Sequence, residues 1–375
     1  MDINIQIAKN KQFRAFYIFF ILYTMQTGVA MIGTPRVAFE VAGHDAWISI
    51  ILAYLFVLLV IFIMLFILRQ YDNTDIVGIQ ADLFGGVISK LLGTIYMIYF
   101  ATHILSILVT YIEIVKIFIF RDIPSITVGL MLVTIIVYSC LGGLRVVIGV
   151  VFLFVILSNW VILLLVQPIS QMDFYSFLPI MDKGMMEIIQ GATSTAYTFM
   201  GFEILFFLYP FVSNKKNIRL PTVLGVSYAA FIVLLTTVVS IGFISAEQLG
   251  RRVWPVLNLF KLQSSPFIER LDYVVVAEWM MVTTPKAILL MWGITYTAKR
   301  LYNISSKLSL YFTSGLLLVF IPFFTEHFEI QKLIDSVRDF GIWIVYVYPL
   351  ILLPLVVMKN RSRKKKKGAQ NHATE

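Results

Sequence analysis

The stretch Ala196-Tyr197-Thr198-Phe199-Met200-Gly201-Phe202-Glu203-Ile204-Leu205 decides how the rest of the chain is read. It lies inside an apolar run, Ile188–Val212, long enough to cross a bilayer as a helix. Near the middle of that run stand a glycine, Gly201, and a carboxylate, Glu203. A carboxylate at membrane depth is costly unless paired or wet, which marks it as a functional group. The bland alternative is a glycine at a tight helix crossing and a neutral or paired acid. A second stretch, Thr27-Gly28-Val29-Ala30-Met31-Ile32-Gly33-Thr34-Pro35, interrupts the first apolar segment in the same way. Two glycines and a proline so close together are poor helix formers. Interruptions at corresponding positions of two halves point to a transporter-type binding site.

Outward from these two breaks, the composition is that of a polytopic membrane protein. Of 375 residues, 59% are hydrophobic and 14% charged, against about a quarter charged in a soluble domain. Mean hydropathy is +0.87. The net charge of +9 is gathered in short loops and a C-terminal tail, the distribution of the positive-inside rule and not that of a nucleic-acid binder. One cysteine, Cys140, excludes an internal disulfide, and four scattered histidines offer no metal-ligand spacing. No nucleophile triad or His-acid cluster suggests an enzyme, and no cofactor motif is present.

Ten stretches are candidate spans: Phe13–Pro35, Trp47–Leu68, Leu91–Phe120, Ile126–Leu141, Val146–Val166, Ile188–Val212, Val223–Ala246, Tyr273–Leu301, Leu308–Phe324 and Gly341–Met358. The expected fold is all-α: one transmembrane domain over residues 1–375 and a basic cytoplasmic tail over 359–375. Dividing the spans five and five gives a first repeat at about 13–166 and a second at about 188–358. An odd number of helices per repeat forces the halves to be inverted, with the breaks in helices 1 and 6. The larger share of Lys and Arg falls on the side of the N-terminus, which puts both termini in the cytoplasm. The tail basics face anionic lipid headgroups. Tyr71–Ser89 reads as an inner loop with a short helix, and Glu247–Asp272 as an outer loop able to cap a site.

A broken helix exposes amides at the start of its second half and carbonyls at the end of its first. The Thr27, Gly28, Val29, Ala30 and Met31 segment is therefore a candidate cradle for a small ligand, its amides suited to a carboxylate and its carbonyls to an ammonium. In the sixth span, Gly201 supplies the second break, and Tyr197, Phe199 and Phe202 supply an apolar wall. Glu203 and Lys286 are the charge-coupling or gating candidates. Lys286 follows Thr283-Thr284-Pro285 deep in the eighth span, too far from Arg300 to reach the surface easily. Glu113 and Lys116, three apart, are expected to pair on one helix face. His103 is expected to be a hydrogen-bonded packing residue.

Gly28-Val29-Ala30-Met31-Ile32-Gly33-Thr34-Pro35 resembles the G-x-G-I-x-x-x-P signature of the amino acid–polyamine–organocation transporters, with Ala30 where a second glycine often stands. Phe199-Met200-Gly201-Phe202-Glu203 resembles their F-x-G-x-E. More narrowly, Gly28–Trp47, Phe199–Val212, Glu269–Trp279 and the lysine-bearing eighth span resemble the spore germination permeases, the B subunits of endospore germinant receptors. The resemblance implies the LeuT-type fold and residence in the spore inner membrane. It also implies sensing of a small nutrient, often an amino acid, together with A and C subunits. An active amino acid permease, proton-coupled or exchanging, is the alternative.

Overall fold

The computed structural model describes residues 3–261 and 270–372. Glu269, the first residue of the Glu269–Trp279 motif, and the last three tail residues lie outside that range. In chain order the helices are α1 (Tyr17–Gln26), α2 (Thr34–Ala42), α3 (Ala46–Arg69), α4 (Ile76–Phe84), α5 (Gly86–Phe118), α6 (Ser125–Leu141), α7 (Leu144–Ser158), α8 (Val166–Ser170) and α9 (Met185–Ser194). They continue as α10 (Ala196–Phe199), α11 (Leu205–Leu208), α12 (Arg219–Phe243), α13 (Ala246–Arg251), α14 (Pro255–Lys261), α15 (Leu271–Tyr302), α16 (Ser306–Phe320), α17 (His327–Gly341) and α18 (Tyr348–His372). Among the described residues there is no sheet.

Among the described residues, seven helical runs are long and apolar enough to cross a membrane: Thr34–Arg69, Gly86–Phe118, Leu144–Ser170, Lys215–Phe243, Leu271–Tyr302, Ser306–Phe323 and His327–Arg363. Three shorter apolar stretches accompany them, Tyr17–Gln26, Ser125–Leu141 and Ala196–Phe211. The helix α3 shows why the apolar pattern has no polar face. Ile50, Val57, Ile61, Met64 and Leu68 turn into the core, while Leu55, Leu59, Phe62 and Phe66 stand on the opposite side, exposed. A helix apolar all round suits a protein core on one side and hydrocarbon on the other.

The first span departs from its expected bounds. It does not end at Pro35. A proline in the first turn of a helix loses nothing, because its missing N–H has no partner there anyway. Pro35 therefore helps start α2, which follows a short 3-10 turn at Val29–Ile32 and runs on to Ala42. Pro285, by contrast, sits inside α15, which continues through it to Tyr302.

At the centre, α5 and α15, 33 and 32 residues long, pack side by side. Gly293 lets the Phe100 ring come close, for a Cβ there would stand 2.9 Å from it. Both termini lie at one end of the bundle. The Ile5 amide donates to the Asn73 carbonyl (2.8 Å), and Lys359 and Arg363 both engage Asp82, which is 3% exposed. The Tyr71 hydroxyl donates to the same carboxylate (3.0 Å). Burial first, then the Asp82 charge, raises the Tyr71 phenol above its ordinary pKa, so it stays a donor. Arg300 reaches the buried Asp75 (3.4 Å), which also caps α4 through the Gly78 amide (2.7 Å).

Candidate functional site

The first interruption begins where α1 stops at Gln26. Thr27 and Gly28 leave the helical region (φ −110, ψ 71 and φ −111, ψ −159), and the chain resumes as the Val29–Ile32 turn. The second begins where α10 stops at Phe199. Met200 is extended, Gly201 adopts φ +120, ψ −20, and Phe202–Ile204 restarts the chain as a 3-10 turn. A positive φ of this kind is nearly closed to residues with a Cβ, so glycine is required.

The two interruptions touch. A Cβ on Gly201 would lie 2.8 Å from the Met25 carbonyl oxygen, so only glycine admits this approach. The Gln26 side-chain amide donates to the Phe199 carbonyl (3.1 Å), tying the end of α1 to the end of α10. Above this junction Thr34 and Thr198 share a hydrogen bond of 2.6 Å.

Lys286 enters the junction from α15. Its stem lies against Gly28, where a Cβ would stand 3.2 Å from Lys286 Cδ. Its ammonium donates to the Met200 carbonyl (3.2 Å), one of the acceptors that the helix end leaves over. Glu203 accepts from the Gly201 amide (2.8 Å). Both charged side chains are buried, at 1% and 0% exposure, so neither is balanced by bulk water. Lys286 and Glu203 bracket the same turn without forming a direct ion pair. The Tyr99 hydroxyl and Glu203 Oε1 are buried, and among the described residues neither has a hydrogen-bond partner, while the Tyr346 hydroxyl donates to the Ala196 carbonyl (3.2 Å).

A cavity of about 380 Å³ lies next to this junction, bordered by Val29 and Thr198 from the two interrupted spans, while Gly28, Gly201, Glu203 and Lys286 are not among its lining residues. Its floor includes Val29, Ala30, Thr34, Tyr197 and Thr198, and its mouth Arg36, Glu40, Trp254, His327 and Arg338. The mouth charges are paired, Arg36 with Glu40 (2.7 Å) and Arg338 with Asp335 (2.7 Å). Trp254 comes from the loop ahead of α14 and packs edge-on against His327 at 6.2 Å.

Of the residues singled out in the sequence, Gly28, Gly201, Glu203 and Lys286 converge at the junction. Val29, Ala30 and Tyr197 line the cavity. Thr27 turns back on α1, its hydroxyl donating to Tyr23 O (2.8 Å). Met31 is buried, and its amide is taken by the Gly28 carbonyl (3.2 Å), which leaves a smaller amide cradle than the break suggested. Phe199 and Phe202 turn into the core, Phe202 against the Tyr346 ring (5.5 Å). Of the expected aromatic wall, only Tyr197 faces the cavity. Two other expectations are corrected. Glu113 pairs with His327 (2.9 Å) and not with Lys116, because α17 brings a partner over the cavity that helical spacing could not foresee. His103 is buried without the protein hydrogen bonds expected of it.

Gln26, Thr34, Thr198, Tyr99 and Tyr346 were not singled out in the sequence. Gln26 carried a legible signal, a side-chain amide one residue ahead of the first break. The hydroxyls of the others are common in packed membrane helices and gave none.

Residues 12–331 match the family described as spore germination protein. Spore germination protein GerQB of Bacillus cereus is 29% identical over 366 residues, covering 96% of this chain and 99% of the relative. Spore germination protein KB of Bacillus subtilis (strain 168) is 22% identical over 368 residues, covering 94% and 96%. Among solved structures, a Na+-coupled sialic acid symporter in a substrate-bound, outward-open state aligns with TM-score 0.61 at 10% identity, over 94% of this chain and 77% of that one. Mhp1, a nucleobase-cation-symport-1 family transporter in a closed conformation, aligns with TM-score 0.60 at 13% identity, over 89% and 77%. At such identities the likeness is one of fold, and the fold is the LeuT-like transporter fold. With a family match over most of its length and a relative aligned almost end to end, the chain belongs to the spore germination protein family, a family of multi-pass membrane proteins and not an enzyme class.

Proposed function

We propose that this chain is the B-type subunit of a germinant receptor, binding a small nutrient, first of all an amino acid, where the cavity meets the two interruptions. The observation that carries this reading is the pair of buried charges, Lys286 and Glu203, at the meeting point of Gly28 and Gly201. Ala30, Tyr197 and Thr198 are offered to the ligand from the cavity floor. Ligand binding favours one arrangement of α2, α10 and α17 over another, and it shifts that equilibrium only by its difference in affinity for the two. A and C subunits read the change at the spore inner membrane. In this reading the seven long helices and three shorter apolar stretches make ten spans in two inverted repeats. Helices 1 and 6 are the broken ones, and both termini face the cytoplasm.

Thermal-shift screening of the amino acids with the purified protein tests the site. One stabilising amino acid, lost in Lys286→Met or in variants of the Gly28–Thr34 and Phe199–Glu203 segments, is the expected result. Stabilisation that survives all of these changes places the ligand elsewhere.

An amino acid permease is the second reading, favoured by Glu203, a buried acid at an interruption in a fold shared with symporters. Labelled amino acid entering liposomes that hold the purified protein supports transport; a sensor moves none. In either reading Lys286 serves as a fixed cation between the first and eighth spans. Ligand binding is then independent of sodium, and a strict sodium requirement contradicts it.

A further inference from the structure

The helix α17 is held to the rest of the molecule unevenly along its length. Of its 15 residues only Ile330, Val337 and Gly341 are buried. The far end is tightly seated, for a Cβ on Gly341 would stand 2.6 Å from Met200 Sδ and 3.1 Å from the Tyr99 ring. The chain then continues as a π-helical turn, Ile342–Val347, a form that concentrates at functional sites. The near end has no such seat. Glu326, Phe328 and Glu329 are exposed there, yet His327 and Gln331 from this end form part of the cavity wall.

A polar contact ties that end down. His327 Nδ1 lies 2.9 Å from Glu113 Oε1 on α5. Among the described residues, the other side-chain hydrogen bonds of α17 stay within the helix or its own lead-in. Glu113 is buried, and its second oxygen has no partner among the described residues, so the imidazole is the group that meets this carboxylate. An exposed pair is lost at little cost, whereas breaking a buried one strands the member left behind. The pair also stands at the cavity, which Thr110, one turn before Glu113, and His327 itself both line. The His327 ring meets the Trp254 ring edge-on at 6.2 Å. The Trp254 ring in turn lies on Gly33, where a Cβ would stand 3.4 Å from it. A chain of contacts thus runs from α5 through α17 and Trp254 to the start of α2. On the floor of the same cavity Val29, Tyr197 and Thr198 are 1%, 5% and 4% exposed, nearly out of water.

We propose that the Glu113–His327 pair is a latch on the cavity. When made, it holds the near end of α17 to α5 and keeps Trp254 wedged between His327 and Gly33. When broken, it lets α17 swing about Gly341 and opens the floor to water. The inference concerns access to the cavity. It requires neither a particular nutrient nor a choice between sensing and transport.

Cysteine accessibility of the full chain in nanodiscs tests this without a ligand. Cys140→Ala removes the one native thiol, and Thr198→Cys places a reporter on the floor. Its modification by a membrane-impermeant methanethiosulfonate reagent is followed by mass spectrometry. Glu113→Leu and His327→Phe are each expected to speed modification about tenfold or more. A rate equal to that of the latched chain overturns the proposal. Exchanging the partners separates a latch from a general loosening of the helices. Glu113→His and His327→Glu are each expected to open the floor alone, and together to bring the rate back to within about threefold of the latched chain. An exchanged pair as open as either change alone overturns the latch equally. Absence of stabilisation by any amino acid, with this pattern intact, would count against the proposed function and leave the latch standing.

Discussion

The two interruptions look alike in the sequence, a glycine within an apolar helix, yet they are filled in different ways. At Gly28 the backbone has an ordinary φ, and the space a side chain would take is held by the stem of Lys286. At Gly201 the φ is +120, and the space is held by the backbone carbonyl of Met25. A lysine stem has rotamers to spare and can move. A helix carbonyl cannot move without unseating α1. The first glycine therefore makes room for a charge, and the second makes room for another backbone.

The sharpest way to break this contrast is Gly201→Ala. It combines a forbidden φ with a contact of 2.8 Å to a backbone atom, and the expected loss is about 2–5 kcal/mol in chemical or thermal unfolding in detergent. Gly201→Ala at wild-type stability would contradict the conformation at this turn. Next comes Lys286→Met, which is expected to abolish the ligand response while the protein still reaches the membrane. Losing one member of a buried charge set costs about 3–5 kcal/mol where the rest is left uncompensated. Glu203→Gln, which keeps its amide-accepting oxygen, is expected to impair the response with a smaller loss of stability.

Gly28→Ala should cost less than Gly201→Ala, about 1–3 kcal/mol for overpacking. A double-mutant cycle sharpens the point. If the lysine stem is what fills the space, Gly28→Ala is nearly neutral in a Lys286→Ala background, and the pair is non-additive. Additive losses would show that something other than Lys286 limits this glycine. Smaller still, Thr198→Val removes the bond to Thr34 and should cost about 0.5–1.5 kcal/mol. Arg36→Ala, at the mouth, loses an exposed ion pair worth about 0–1 kcal/mol. Measured together, these variants rank the junction above its rim.

Much of this was legible in the sequence because membrane burial makes polarity conspicuous. Glu203 and Lys286 stood out for that reason, and both lie at the junction. The glycines marked the interruptions because a helix tolerates few of them. The spacing of Glu113 and Lys116 misled, since helical periodicity describes one helix and the partner of Glu113 comes from α17. Phe199 and Phe202 misled in a related way. Residues on a broken helix no longer follow one face, so their direction depends on the local dihedral angles, which the sequence does not carry. Pro35 was read as an end and is a beginning, because proline suits a first turn as well as it terminates a last one.

One contact at the terminal end of the bundle bears on motion. The Phe13 amide donates to Phe211 O (2.9 Å), and the Ser213 amide donates to Phe13 O (2.9 Å). The Ala15 amide is held by the Asn214 side chain (2.8 Å). These bonds staple the entry of α1 to the segment that follows α11, the exit of the other interrupted span. The two half-spans are thereby yoked at their base, like the two blades of shears riveted at one end. A tilt of one drags its companion, so a disturbance at either glycine is delivered to the same lever.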